Sequence, residues 1–237
     1  MKTRHVTDRI TQLTRMHFVN AFLVREEDGL TLVDTTMGGA ADSLVAAADA
    51  AGAPIRRIAL THGHGDHVGS LDALAAALPA AEVIASEREA ALLAGDTKLR
   101  EHEPAGRMRG GFRAVATRPA RLAGDGDQIG SLRVLATPGH TPGHLAFFDP
   151  RDGTLYAGDS FTTTRGVATS AVVPWRYPMA GLATWNRELD LASAQALREL
   201  DPARLASGHG PVIQAPGHAM DRAIAGAARR LERSPKP

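Results

Sequence analysis

Cysteine is absent from the 237 residues. That absence excludes disulfides, zinc–thiolate sites and thiol nucleophiles together, and it leaves histidine and carboxylates to hold any metal. An excess of either charge is missing too: 27 Lys and Arg face 26 Asp and Glu, for a net charge of +1. No bulk electrostatic attraction to nucleic acid or to a membrane surface follows from that balance. No run approaches the roughly 18–20 apolar residues of a membrane span. Residues 1–9 begin basic without an apolar stretch behind them, so they do not read as a signal peptide, and a cytoplasmic chain is expected. Aromatic residues are scarce at 4%, so each one near a candidate site is weighed on its own. What remains, 43% hydrophobic and 22% charged, is ordinary for a globular protein, and the length suits one domain spanning 1–237 with no linker inside it.

Against that plain background stands Thr61-His62-Gly63-His64-Gly65-Asp66-His67, which packs three imidazoles and one carboxylate into seven residues directly after Ile58-Ala59-Leu60. An ordinary core would have to satisfy each of these groups, at about 1–3 kcal/mol for every one left unpaired. Neutral imidazole nitrogens and an ionised carboxylate converging on one point are what a borderline transition metal requires. Gly63 and Gly65 are expected to let the backbone turn tightly, so that alternate ligands face one cavity.

The chain alternates strand and helix patterns. An antiparallel pair is expected over 18–24 and 30–34, joined by a polar turn ending in Asp28-Gly29. Asp42-Ser43 can cap an Ala-rich helix ended by Gly52 and Pro54. A strand over 55–60 delivers the histidine cluster. Helices are expected at 69–78 and 87–94, with a short strand at 82–86 between them. Residues 95–113 are charged and aperiodic, and read as a long surface excursion or lid facing substrate. Strands follow at 132–136, 145–148 and 154–157, then a long loop over 160–178. One long helix is expected over 181–200, a short strand at 204–207, a terminal helix at 216–233 and a frayed tail at 234–237. Two hairpin-rich blocks in place of a continuous βαβ succession favour two sheets packed face to face with helices outside.

Three further positions repeat the arrangement of the cluster, a functional side chain at a glycine turn after an apolar run: His140 after Ala136, Asp159 after Ala157, and His209 after Leu205. With these residues the chain resembles the metallo-β-lactamase-fold hydrolase superfamily. The resemblance rests on His62-x-His64-x-Asp66-His67, His140, Asp159 and His209 in that order. Asn20, Asp34 and Thr137-Pro-Gly-His-Thr-Pro-Gly-His144 support it, and it runs from about Phe18 to Gly210.

The resemblance implies an α/β (α+β) architecture, a four-layer αββα sandwich with a dinuclear site at one edge. His62, His64 and His140 would hold one metal, Asp66, His67 and His209 the other, and Asp159 would bridge them. Two zinc ions are expected, with iron or manganese as alternatives. A hydroxide bridging metals roughly 3.5–4 Å apart would attack a carbonyl polarised by one of them. Asp66 would orient that hydroxide and pass a proton to the leaving group. His144 is given a loop-bracing role, and Asp34 that of a buried hydrogen-bond brace rather than a turn carboxylate.

The implied activity is a metallo-hydrolase of a small ester, lactone or thioester, acting on a small-molecule substrate with no nucleic-acid or membrane partner. The oligomeric state stays open, a homodimer included. Lack of cysteine excludes the β-lactamase pattern with a cysteine ligand. Glyoxalase II shares all seven ligand types, but only about one helix is expected after His209, where that enzyme carries a glutathione-binding extension. Acyl-homoserine lactonases typically place a tyrosine three positions after the bridging aspartate, where this chain has Thr162. A glyoxalase II-like persulfide dioxygenase with a single iron is the alternative activity, and a metal-stabilised binding module without turnover is a third reading. Phe161, Trp175 and Tyr177 could line a substrate pocket or pin the 160–178 loop. Arg107, Arg109 and Arg113 read as a solvated face rather than an anion site.

Overall fold

The computed structural model describes residues 1–175 and 177–233, so the expected tail at 234–237 lies outside the described residues. The first sheet places β1 (Lys2–Thr7), β2 (Ile10–Arg15), β3 (Val19–Arg25) and β4 (Leu30–Val33) side by side as an antiparallel meander. It continues in parallel through β5 (Ile55–Ala59), β6 (Glu82–Ala85) and β7 (Arg121–Leu122). The connections in this half carry α1 (Ala41–Ala50), α2 (Gly65–Val68), α3 (Leu71–Ala77) and α4 (Glu87–Leu93). The second half forms β8 (Gln128–Ile129), β9 (Leu132–Ala136), β10 (Leu145–Asp149) and β11 (Thr154–Gly158), then a separate hairpin of β12 (Phe161–Thr162) and β13 (Ala168–Thr169). Helices α5 (Met179–Ala183) and α6 (Arg187–Glu199) precede β14 (Arg204–Ser207) and β15 (Ile213–Gln214), and α7 (Gly217–Arg233) ends the described chain. The second sheet runs β15-β14-β11-β10-β9-β8, with β14 parallel to β11 and the remaining pairs antiparallel.

Strand periodicity of two explains the layering, because neighbours along one strand enter different cores. Val33, Ala59 and Ile84 face Phe147, Tyr156 and Ala206 of the other sheet in a shared central core. Their neighbours Leu32, Ile58 and Val83 face outward and are covered by Leu44 of α1 and Leu71 and Leu74 of α3. On the far side Ala146, Leu155 and Leu205 are covered by Ala194 and Leu197 of α6 and Met220 of α7. Three cores between four layers make the αββα sandwich that the sequence implied. Among the described residues no helix is long and apolar enough to cross a membrane.

Several boundaries differ from expectation. β1 and β2 were not anticipated. β1 is an exposed edge strand, Lys-Thr-Arg-His-Val-Thr, and carries no apolar face to betray it. Asp42 and Ser43 do not cap α1: Ala40 is the cap residue, its backbone N–H goes to Ser70 Oγ at 2.8 Å, and Asp42 sits in the first turn, where the helix dipole favours it. The helix expected at 69–78 forms as α3, and a short helix not expected, α2, precedes it, so Asp66 and His67 lie on helix rather than loop. The helix expected over 181–200 breaks at residues 184–186. There Asn186 is extended and its Oδ1 caps the Leu189 N–H at 3.0 Å, a start signal hidden inside a continuous apolar stripe. The 160–178 loop contains the β12–β13 hairpin. Between α4 and β7 no helix or strand forms, as the aperiodic sequence indicated.

Phe147 is fully buried in the central core. Phe147→Ala is expected to cost about 3–5 kcal/mol, read as a lower urea midpoint with an unchanged slope.

Candidate metal centre

Strands running in one direction end at one edge of the sandwich, and each end delivers a polar side chain. Asp34 follows β4, His62 and His64 follow β5, His140 follows β9, Asp159 follows β11 and His209 follows β14. Backbone hydrogen bonds stitch these turns together, across the two sheets by Leu145 N–H to Thr61 O and Asn20 N–H to Gly208 O, both at 2.8 Å, and within the first by Thr35 N–H to His67 O at 2.7 Å. Asn20 adds its side chain, Nδ2 donating to Ser207 O and Gly210 O at 2.9 and 2.6 Å, while Oδ1 accepts from Gln12 and Thr14.

The structure brings all seven expected site residues together in three overlapping groups: His62, His64 and His140; His62, His67 and Asp159; and Asp66, His67 and His209. Hydrogen bonding sets the tautomers of three imidazoles and orients a fourth, His67. Asp34 only accepts, taking Thr61 N–H on Oδ1 and both the Thr61 hydroxyl and His67 Nδ1–H on Oδ2, each at 2.8 Å. With its proton given to Asp34, the Thr61 hydroxyl accepts from His62 Nδ1–H at 3.0 Å. His64 Nε2–H donates to Arg109 O at 3.0 Å. His140 Nδ1–H donates to Thr184 Oγ1 at 3.1 Å, whose own proton goes to a backbone carbonyl, Ser170 O lying at 2.8 Å. In His62, His64 and His140 the other nitrogen is left bare and inward-facing.

Those bare atoms approach one another: His62 Nε2 is 3.1 Å from His64 Nδ1, and His140 Nε2 is 3.0 Å from the same atom. Burial holds His62 and His140 well below the usual imidazole value and brings His64 down to about 4, so protons do not relieve the repulsion. Asp159 sits between the groups. Its Oδ2 is 3.5 Å from His140 Nε2 and 3.1 Å from His209 Nε2, and its Oδ1 is 3.4 Å from His67 Nε2. Burial opposes its charge, but the His209 and His67 imidazoles hold the carboxyl well below its usual value. At His67 burial is likewise outweighed, by Asp159 and Asp34, and the ring is held well above the ordinary imidazole value. His67 Nε2 and Asp159 Oδ1 are buried without hydrogen-bond partners. Converging lone pairs and an unpartnered carboxylate oxygen are a donor set that fits a divalent cation. Asp66, 36% exposed, lies 3.4 Å from His209 Nε2 and faces a cleft of 550 Å³.

His144 is not among the converging donors. Its Nε2 accepts the Asp159 backbone N–H at 3.1 Å, its Nδ1 pairs with Thr137 Oγ1 at 2.8 Å, and burial brings it down to about 3, so it braces the aspartate turn as a neutral ring. Asp34 is the buried brace expected of it. Neither Gly63 nor Gly65 has positive φ; a Cβ at either would make a tight contact, 3.1 Å from Glu89 Oε2 at Gly63 and 3.3 Å from Gly111 O at Gly65. Phe161 is core and Tyr177 lines the cleft, the two roles weighed for these aromatics, whereas Trp175 is 79% exposed and lies outside the cleft lining.

Two contributions escaped the sequence. The 95–113 excursion closes on the site through its backbone. Arg109 O fixes His64, Gly111 O takes Gly65 N–H at 2.9 Å, and Gly110, at φ 89°, crosses so close to the His64 ring that a Cβ there would collide with it. Glu89 of α4 is fully buried and ties two donor loops together. Its Oε2 accepts Gly63 N–H at 2.7 Å, and its Oε1 accepts the Thr141 hydroxyl at 2.5 Å and Gly143 N–H at 3.0 Å. The capping pattern Ser86-x-x-Glu89 was the available signal, and there the glutamate turns inward instead of back to the cap.

Comparison with known proteins agrees with this geometry. The family model described as the metallo-beta-lactamase superfamily matches residues 14–209. The uncharacterized protein YobT of Bacillus subtilis is 45% identical over 207 residues, covering 87% of this chain and 89% of its own. A hydroxyacylglutathione hydrolase of Stenotrophomonas maltophilia is 27% identical over 84% of this chain and 72% of its own. The crystal structure of TTHA1623 in a di-iron-bound form superposes with a TM-score of 0.64 at 28% identity, covering 88% of this chain and 95% of that one.

Glu89→Ala would strand three buried donors, and is expected to cost about 2–4 kcal/mol and to weaken metal retention in a chelator competition. Burial also pushes the Glu89 carboxyl up from 4.5 to about 7. Between those values the folded chain binds a proton that the unfolded chain has released. The Glu89 contribution is therefore full below about 4.5 and falls as pH rises to about 7. The stability difference between wild type and Glu89→Gln should carry that slope, and a flat difference across pH 4.5–7 would refute the assignment.

Proposed function

The chain belongs to the metallo-beta-lactamase superfamily, and from that premise we propose that it is a metal-dependent hydrolase cleaving a small ester, lactone or thioester. We assign His62, His64 and His140 to one ion, Asp66, His67 and His209 to a second, and Asp159 to both. The observation that carries the assignment is the pair of 3.0–3.1 Å approaches between unprotonated ring nitrogens around His64, with Asp159 between them and His209. A second complete donor group at Asp66, His67 and His209 favours two ions over the single iron of a dioxygenase. Zinc suits imidazole and carboxylate donors, and iron binds the same types; the di-iron form of TTHA1623 keeps iron in view.

Ions bound there supply Lewis-acid polarisation and acidify water to near neutrality. The protein's own part is orientation and proton transfer. Asp34, Thr61, Thr184 and the Arg109 carbonyl hold the rings so that lone pairs point inward. Asp66 is the one carboxylate of the set with substantial exposure to the cleft, placed to take the proton of the attacking water and deliver it to the leaving group. The water oxygen ends on the acyl carbon, the acyl C–O or C–S bond breaks, and the alcohol or thiol departs with the proton. Tyr177 lines the same cleft. Burial, with Asp159 and Asp66 nearby, pushes its phenol above the usual value, so it stays a hydrogen-bond donor.

The test is elemental analysis joined to a panel of lactones, thioesters, aryl esters and phosphoesters. About two ions per chain are expected, with carboxylic-ester cleavage lost on chelation and restored by metal. One iron per chain with sulfur-dependent oxygen uptake would establish the dioxygenase instead, and metal binding without turnover of any substrate would leave a binding module. Asp66→Asn with its metal content intact should lower kcat at least about 100-fold. Unchanged turnover would remove the shuttle role.

A further inference from the structure

The hydrolytic reading leaves the acyl portion of the substrate open, and the walls of the cleft bear on it. Its floor is polar, with His64, Asp66, Asp159 and His209. Its walls are not: Phe18, Met37, Tyr177, Met179, Leu182 and Ala183 line them, with Phe18 packed edge-on against Tyr177 at 5.8 Å between ring centroids. No lysine or arginine among the described residues lines it. Arg109 comes near only as backbone; its side chain is exposed, like those of Arg107 and Arg113. A substrate carrying an anionic acyl group would find no fixed cationic side chain among the described residues of these walls.

The wall on the α5 side is unusual for a water-facing surface. Met179 and Leu182 are 61% and 52% exposed, and at i, i+3 they share one side of the helix. Solvent gains nothing from large apolar groups there, and their side chains continue the apolar lining outward from the metal-ligand residues. The same helix is fixed from behind: Ala180 and Gly181 are buried, Gly181 lies against the Val172 backbone, and Thr184 follows directly and holds His140. Its exposed apolar pair is thus presented from an anchored base. The cleft volume of 550 Å³ lies in the range of small-molecule sites.

We propose, resting on the hydrolase reading, that the cleft takes an uncharged aliphatic acyl chain laid along α5 against Met179 and Leu182. The apolar strip could alternatively seat a second copy of this chain. Its continuity with the floor donors in one cleft favours a substrate chain, and the test separates the two.

Thioesters and aryl esters of straight-chain acids from acetyl to octanoyl are compared on the metal-loaded protein. Binding of alkanehydroxamates of the same lengths is measured by calorimetry alongside. A rise of about two- to four-fold per methylene is expected in kcat/KM and in hydroxamate affinity, the increment of partial to full methylene burial. In Met179→Ser/Leu182→Ser, whose positions are exposed, the octanoyl-to-acetyl ratio should fall toward one. Hydrolysis without chain-length dependence, or preference for a glutathione thioester, would overturn the acyl proposal and leave the hydrolase reading standing. Graded hydroxamate binding without hydrolysis of any ester would support the apolar subsite and overturn the hydrolase reading. Absence of both would overturn both. A wild-type dimer that the double substitution converts to monomer, with the length ratio unchanged, would make the strip a subunit interface instead.

Discussion

Mutual repulsion of unprotonated imidazole nitrogens is the constraint on which the site's architecture depends. Three rings present lone pairs to one another at hydrogen-bonding distance, with burial removing the option of protonation. Left alone, such an arrangement would splay apart or take up protons. It is held because each ring's far nitrogen is committed elsewhere: to the Thr61 hydroxyl, to a backbone carbonyl of the 95–113 excursion, or to Thr184. A charge-assisted bond such as His67 to Asp34 contributes roughly 1.5–3 kcal/mol, against about 1 for a neutral one. The strongest anchor is therefore the Asp34–Thr61–His67 cluster at the end of the parallel strands.

The fold meets this demand by geometry rather than by any single loop. Strands β4, β5, β9, β11 and β14 all end at one edge, and backbone hydrogen bonds between their turns fix one donor loop against the next. Glu89 performs the same task with a side chain, joining the His62–His64 loop to the turn after His140 through three donors. A Cβ at residue 63 would press on that carboxylate at 3.1 Å. The core beneath is conventional: alternating strand residues divide among three apolar layers, and the rigidity of the central one keeps the two halves of the centre in register.

Much of this was legible in the chain. Spacing alone pointed to a metal at residues 62–67, and glycine turns after apolar runs found His140, Asp159 and His209. The four-layer architecture followed from hairpin blocks interrupting a strand–helix rhythm. Edge strands and backbone acceptors were not legible. β1 has no apolar face, so no periodicity marks it. Arg109 acts through its carbonyl, and any residue could stand there as far as that atom is concerned. Asn186 was overlooked as a helix start because Leu182, Trp185 and Leu189 keep helical spacing across the break. Glu89 was not legible either, since nothing local shows that its carboxylate will be buried beneath two loops that arrive from elsewhere in the chain.

That break between α5 and α6 links recognition to the metal centre. The backbone leaves helical geometry at Thr184, which places its hydroxyl on His140, while Trp185 and Asn186 donate their N–H groups to His140 O and Gly139 O at 3.0 and 2.9 Å. One turn earlier the same segment forms the apolar wall of the cleft. The excursion over His64 couples the opposite side in the same way, with Gly110 and Gly111 both lining the cleft and closing on the ligand loop. Changing what enters the cleft by reshaping either segment's backbone would therefore move a histidine as well. Changing it through exposed side chains such as Met179 and Leu182 would not. Substrate preference in this architecture is most freely altered at outward-facing positions of elements whose inner faces are committed to the metal centre.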